Sequence, residues 1–258
     1  MSGRRTLRLL LILLLFVLLV GYLVFAVLCL RDGNPNEVCA QVNITIDTPA
    51  SERSLTREDI ILLLSAEGLY PEGKPMKGVR TSAIEACLRA QPLVRNVVCF
   101  KSANPSDVNE GSLCIELSLR QPVLHVLPEG GADYYVDDEG CIIPEVPRKH
   151  NLLTATGAVT TDYAAQVLAP FAVYVGEDSY WSEQLVQVHV ETDRRGRPTV
   201  KLIPREGEQV ILLGPIDGYE KKLRRMKVFY RQAIPQVGWT KYKAFNLEYD
   251  NQIVCIKK

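Results

Sequence analysis

Ser112-Leu113-Cys114-Ile115-Glu116-Leu117-Ser118-Leu119 alternates without a break, which puts Leu113, Ile115, Leu117 and Leu119 on one face of a strand. One buried face needs a cover, and the residues upstream supply it. Residues 94–101 read as a second strand, joined to the first as a hairpin by the polar loop 102–111. Before it, residues 81–90 form a short helix with Ile84, Cys87 and Leu88 inward, stopped by Gln91-Pro92. Thr56, with Asp59 three residues on, starts an earlier helix through Ile60, Ile61, Leu63 and Leu64, and Gly68 ends it. Residues 38–47 alternate again, with Val38, Ala40, Val42, Ile44 and Ile46 on one face. The order is β-α-α-β-β, a small α+β unit.

Downstream, Arg120-Gln121-Pro122-Val123-Leu124 precedes Tyr134-Tyr135-Val136-Asp137-Asp138-Glu139-Gly140-Cys141-Ile142-Ile143-Pro144. The acidic run is a hairpin turn in which Gly140 takes a positive φ. A calcium loop would need ligands alternating along about twelve residues with a closing glutamate, and these are missing. The β-α-α-β-β unit resembles a POTRA (polypeptide-transport-associated) domain. The Arg-x-Pro and the acidic-Gly turn resemble the end of that domain in the FtsQ/DivIB cell-division family.

The next stretch reads as β-rich. A short strand ends at Thr154-Ala155-Thr156-Gly157, and residues 162–175 are helix-like, although Pro170 weakens the pattern. Residues 183–191, 198–204 and 209–213 form an antiparallel meander with turns at Arg195-Gly196 and Glu206-Gly207. Residues 219–233 place Leu223, Met226, Phe229, Tyr230 and Ala233 at helical spacing, with Lys221, Lys222, Arg224, Arg225 and Lys227 largely opposite on a solvated face. The aromatic and β-branched residues of 239–258 argue one or two closing strands.

That ending, Tyr249-Asp250-Asn251-Gln252-Ile253-Val254, resembles the C-terminal pattern of FtsQ-type proteins, most closely those of the Bacteroidetes lineage. The resemblance implies that Tyr249, Asn251, Gln252, Ile253 and Val254 form the docking place for FtsB- and FtsL-like division partners, with the POTRA domain serving other divisome contacts. An edge strand over roughly 244–256 would take a partner segment by strand addition. The same residues also serve to close the sheet, with Ile253 or Val254 in the core.

At the other end, Leu9–Leu30 carries no charge and covers about 33 Å as a helix, the thickness of a bilayer core. Arg4, Arg5 and Arg8 precede it, whereas Asp32, Glu37 and Asp47 outnumber Arg31 beyond it, so the short tail 1–8 is expected in the cytoplasm. The apolar run is too long for a cleaved signal peptide, and Leu28 before Cys29 is not the small residue of a lipoprotein site. The organisation expected is a tail (1–8), a transmembrane helix (9–30), a linker (31–37), a POTRA-like domain (38–128) and a β-rich domain with an antiparallel sheet and one or two helices (129–258). This places the outer domains beyond the membrane, and the resemblance implies that they stand in the periplasm with the chain at the septum of the inner membrane.

Lys and Arg number 30 and Asp and Glu 30, which leaves no electrostatic footprint for nucleic acid. Cys39, Cys87, Cys99, Cys114, Cys141 and Cys255 show no CxxC spacing, so neither zinc nor a dithiol redox site is indicated; disulfides are permitted in an oxidising compartment but not implied. His125, His150 and His189 stand in separate segments, and no GxSxG, P-loop or GxGxxG occurs. The expectation is therefore a non-enzymatic scaffold with no cofactor and no small-molecule substrate. The alternative is a POTRA-containing protein of envelope assembly or secretion.

Overall fold

A computed structural model describes residues 13–25, 36–48, 55–104, 106–144, 152–238 and 241–258. Residues 13–25 are helical with every side chain exposed, Phe16, Tyr22 and Phe25 among them. Among the described residues no helix is long and apolar enough to cross a membrane. The rest of the span expected at 9–30, the tail 1–8 and most of the linker 31–37 lie outside the described residues.

The remainder divides into two units, the first containing 56–90 and 96–117 together with the residues up to 47, the second 48–55, 91–95 and 118–258. In the first, strands β1 (Val38–Ile46), β2 (Val94–Asn104) and β3 (Asp107–Leu119) form a sheet of order β1-β3-β2. β1 runs parallel to β3, a pairing that the two intervening helices, Arg57–Ala66 and Thr81–Arg89, make possible as a crossover. Thr56 caps the first helix with the expected box: its side chain accepts from the Asp59 N–H, and Asp59 accepts from the Thr56 N–H at 2.9 Å. Ile60, Leu64, Ile84 and Leu88 of the helices and Val97, Cys99, Leu113 and Ile115 of the sheet are all buried. Each such burial contributes about 1.5–3 kcal/mol.

Two local expectations change. A bulge between Cys39 and Gln41 shifts the alternation of β1, so Cys39, Val42 and Ile46 are buried while Val38 and Ala40 are exposed. The expected loop 102–111 is mostly strand, because β2 and β3 continue as an exposed ribbon whose tip needs no apolar residues. At that tip the Asn104 side chain accepts from the Ser106 N–H at 3.0 Å, and Asp107 accepts from the Asn109 N–H at 2.9 Å.

The second unit is a nine-stranded sheet of order β12-β11-β10-β9-β8-β7-β4-β5-β6. Its strands are β4 (Pro122–Pro128), β5 (Tyr134–Asp137), β6 (Ile142–Ile143), β7 (Leu153–Gly157), β8 (Leu185–Thr192), β9 (Pro198–Pro204), β10 (Val210–Gly214), β11 (Tyr242–Asn246) and β12 (Val254–Lys257). β4, which the sequence reading placed in the first domain, pairs with β5 and β7 here. The sheet is mixed rather than antiparallel. β4–β7, β7–β8 and β10–β11 are parallel pairs, and helical segments bridge the last two, running from Thr161 to Gln184 and from Tyr219 to Gln232.

Register organises the core into rows. Cys255, Phe245, Ile211, Leu202, Val188, Ala155 and Val126 stand opposite one another across seven strands, and all but the partly covered Cys255 are buried. The next row, Val254, Asn246, Leu212, Lys201, His189, Thr156 and Leu127, faces away from the helices. Pro170 is accommodated by a π segment, Ala164–Leu168, that ends one short helical turn and lets Ala169–Glu177 restart with the proline in its first turn. A further helix, Ser179–Gln184, carries no apolar periodicity that would announce it in the sequence; Asp178 caps it.

Candidate functional site

The end of the sheet is built by a helix that holds two loops. Leu223, Met226 and Tyr230 of Tyr219–Gln232 are buried, and Phe229 and Tyr230 pack on Phe245 of β11, with ring centroids 5.3 and 5.8 Å apart. The opposite face was expected to be solvated. Instead, Lys222 donates to the Leu213 and Pro215 carbonyls at 3.1 and 2.6 Å, and Arg225 donates to the Leu247 and Tyr249 carbonyls at 3.1 Å each. Lys227 bonds to both oxygens of Asp178 at 2.8 and 2.9 Å. Burial pulls the Lys222 ammonium below its ordinary pKa, against the opposing pull of Asp217 and Glu248. Lys221 and Arg224 are exposed.

Arg225 therefore ties down the connection between β11 and β12, where four of the five candidate docking residues lie. Tyr249 is 51% exposed, Asn251 sits at φ 57° in the left-handed region, and Gln252 is exposed. Asparagine tolerates that conformation better than most residues. Ile253 is partly buried against the core, and Val254, 40% exposed, opens β12. The single edge strand expected over roughly 244–256 is thus two strands, with β11 interior and β12 alone at the edge. Burial pushes the Cys255 thiol up. Ile256, Ala244 and Val210 line up on the helix-free face as an apolar row that runs to the edge, while Asn246 stands between Val254 and Leu212. Lys258 closes it with an ion pair to Glu208 at 2.7 Å.

The larger unit also holds two side-chain clusters and a pocket. On the helix-free face, Thr156 Oγ1 lies 2.9 Å from His189 Nδ1 and accepts from Gln187 at 2.8 Å, while His189 Nε2 is 3.5 Å from Glu191, itself bound by Lys201. The grouping mimics a hydroxyl–imidazole–carboxylate relay. It lies across interior strands, where neighbouring amides belong to ladders and are not free to form an oxyanion hole. Asp137, Glu139 and Cys141 bring three ligand atoms within 4.8 Å of one another. The Asp137 carboxylate, fully buried, is already committed to Arg120 at 2.7 Å and to the N–H groups of Glu139 and Cys141 at 3.0 and 2.7 Å. Burial disfavours the Arg120 charge, yet Asp137 holds its pKa above the ordinary value. The trio is a turn lock, and the Arg-x-Pro and acidic-Gly motifs are its two halves. Finally, an open pocket of about 440 Å³ in the larger unit is lined by Val123, Leu153, Val173 and Leu185 together with the charged Arg95, Asp138, Glu177 and Arg205.

Two family models match the chain: a POTRA-like domain over residues 37–118, and FtsQ/DivIB, C-terminal related, over residues 121–256. Comparison with curated proteins gives no match.

Proposed function

From a chain that belongs to the FtsQ/DivIB, C-terminal related family and carries a POTRA-like domain before it, we propose a non-enzymatic scaffold of the bacterial division machinery. In this reading the apolar segment 9–30 anchors the chain in the inner membrane, and both folded units stand outside it at the septum. FtsB- and FtsL-like partners dock on the last strand of the large sheet by adding a strand along β12. The observation that carries the reading is the edge itself: β12 ends the sheet, with Val254 and Tyr249 exposed beside a connection held by Arg225. Tyr249 supplies an aromatic anchor, Asn251 the turn that aims it, Val254 the first rung, and Ile253 fixes the strand to the core.

The test is capture of an FtsB/FtsL-like pair by the chain. Tyr249→Lys should weaken capture at least about tenfold, the loss typical of an aromatic anchor; undiminished capture would sink the docking reading. A fluorescent fusion collecting at midcell, with filaments on depletion, tests the division role separately.

A further inference from the structure

The outer edge of the POTRA-like sheet is not left bare. β2 ends that sheet, and two of its outward main-chain groups are taken by side chains of one helix. Glu85 Oε1 accepts the Cys99 N–H at 2.8 Å, and Arg89 Nη2 donates to the Val97 carbonyl at 3.4 Å. Val97 and Cys99 are two residues apart, so both turn toward the same side of the strand, away from β3. Glu85 and Arg89, one helical turn apart and 4.0 Å from each other, thus stand where the acceptor and donor of a neighbouring strand would be. As a surface ion pair the two contribute little. Their place on the strand edge is what distinguishes them.

Alternate residues of the same strand show what the cover prevents. Val98 and Phe100 are 47% and 42% exposed, so a bare β2 would offer an apolar edge to another chain. Two copies of a chain with zero net charge would not repel each other on approach. The opposite edge is covered too: Arg57 donates to the Val42 carbonyl at 3.0 Å, and the Cys39 N–H and carbonyl bond to Lys74 and Gly73.

We infer that Glu85 and Arg89 form an edge lock that keeps β2 from pairing with a second copy of this chain. The inference is independent of partner docking at β12. It is tested on the full chain in detergent micelles by sedimentation velocity. Replacing both residues (Glu85→Ala with Arg89→Ala) should raise the self-association constant at least about tenfold. Adding Val98→Lys to that variant should return it to the parent level, since a lysine on an edge strand blocks pairing. Glu85→Gln, which keeps a carbonyl acceptor for the Cys99 N–H, should behave as the parent. Circular dichroism confirms that each variant is folded, and Glu85→Ala alone, with a smaller rise, replaces the double variant if that fails to fold. The lock is overturned if its loss leaves self-association unchanged, if Val98→Lys does not reverse the rise, or if Glu85→Gln associates as strongly as the alanine variants.

Discussion

Asp178 stands between two helices and serves both. It follows Ala169–Glu177, caps Ser179–Gln184 by accepting from the Tyr180 and Trp181 N–H groups at 2.9 and 3.2 Å, and binds Lys227. Burial works to raise its pKa, but Lys227 and the two N–H donors outweigh that and hold the carboxyl below its ordinary value. Asp178→Ala should cost about 1–2 kcal/mol at pH 7 in urea unfolding. A depressed folded pKa means the charged group's contribution is whole above its unfolded value near 4 and fades as pH falls through the folded one. The deficit of the variant should therefore shrink between pH 4 and 2; an equal deficit at pH 7 and pH 2 would contradict the assignment. Cys99 gives a second expectation. Burial pushes its thiol up to about 12, so alkylation at pH 7.5 should reach it only through unfolding, measurable by mass spectrometry with and without urea. The Thr56 cap was legible because Asp59 is three residues away. Lys227 lies 49 residues from Asp178, and no local spacing announces that pair.

At the scale of elements, the hairpin that follows Arg120 depends on one buried charge pair. Arg120→Ala would strand the Asp137 carboxylate without its cation, a change that costs about 3–5 kcal/mol when a buried partner is removed. Thermal unfolding should show it, and an accompanying Asp137→Asn should recover part of the loss. Gly140 in the same turn sits at φ 79°, and a Cβ there would come within 2.9 Å of the Ala165 carbonyl. The motif was readable in sequence; its partnership across the turn was not. Strands read best where alternation was unbroken, as in β3, and least well where a bulge moved the face, as in β1. The basic face of Tyr219–Gln232 looks solvated in sequence because Lys222 and Arg225 bond to main-chain carbonyls, which carry no sequence signature, and the carboxylate that binds Lys227 is 49 residues away.

For the whole molecule, alternation identified strands but could not give their order. Parallel pairs such as β10–β11 join segments separated by a helix, and that choice depends on packing across the sheet rather than on any window of residues. Resemblance alone points to the proposed docking residues; their division into an exposed turn, a partly buried Ile253 and an edge residue comes from the fold. Charge is the one global property fixed by composition. With 30 basic and 30 acidic residues, net charge supplies no long-range steering, so the association rate with the proposed FtsB/FtsL-like pair should change less than about threefold between 50 and 500 mM salt. Stopped-flow measurements check this, and a steep fall would reveal a local charged patch at work. The ladder at the sheet's end also has a mechanical meaning. β12 is held by a row of rungs to β11, and β11 in turn to β10. A pull along these strands loads every rung at once, whereas a pull across them peels the rungs one after another. The edge is strong against sliding and weak against lifting, so the direction of a tug, as much as its size, decides whether it holds.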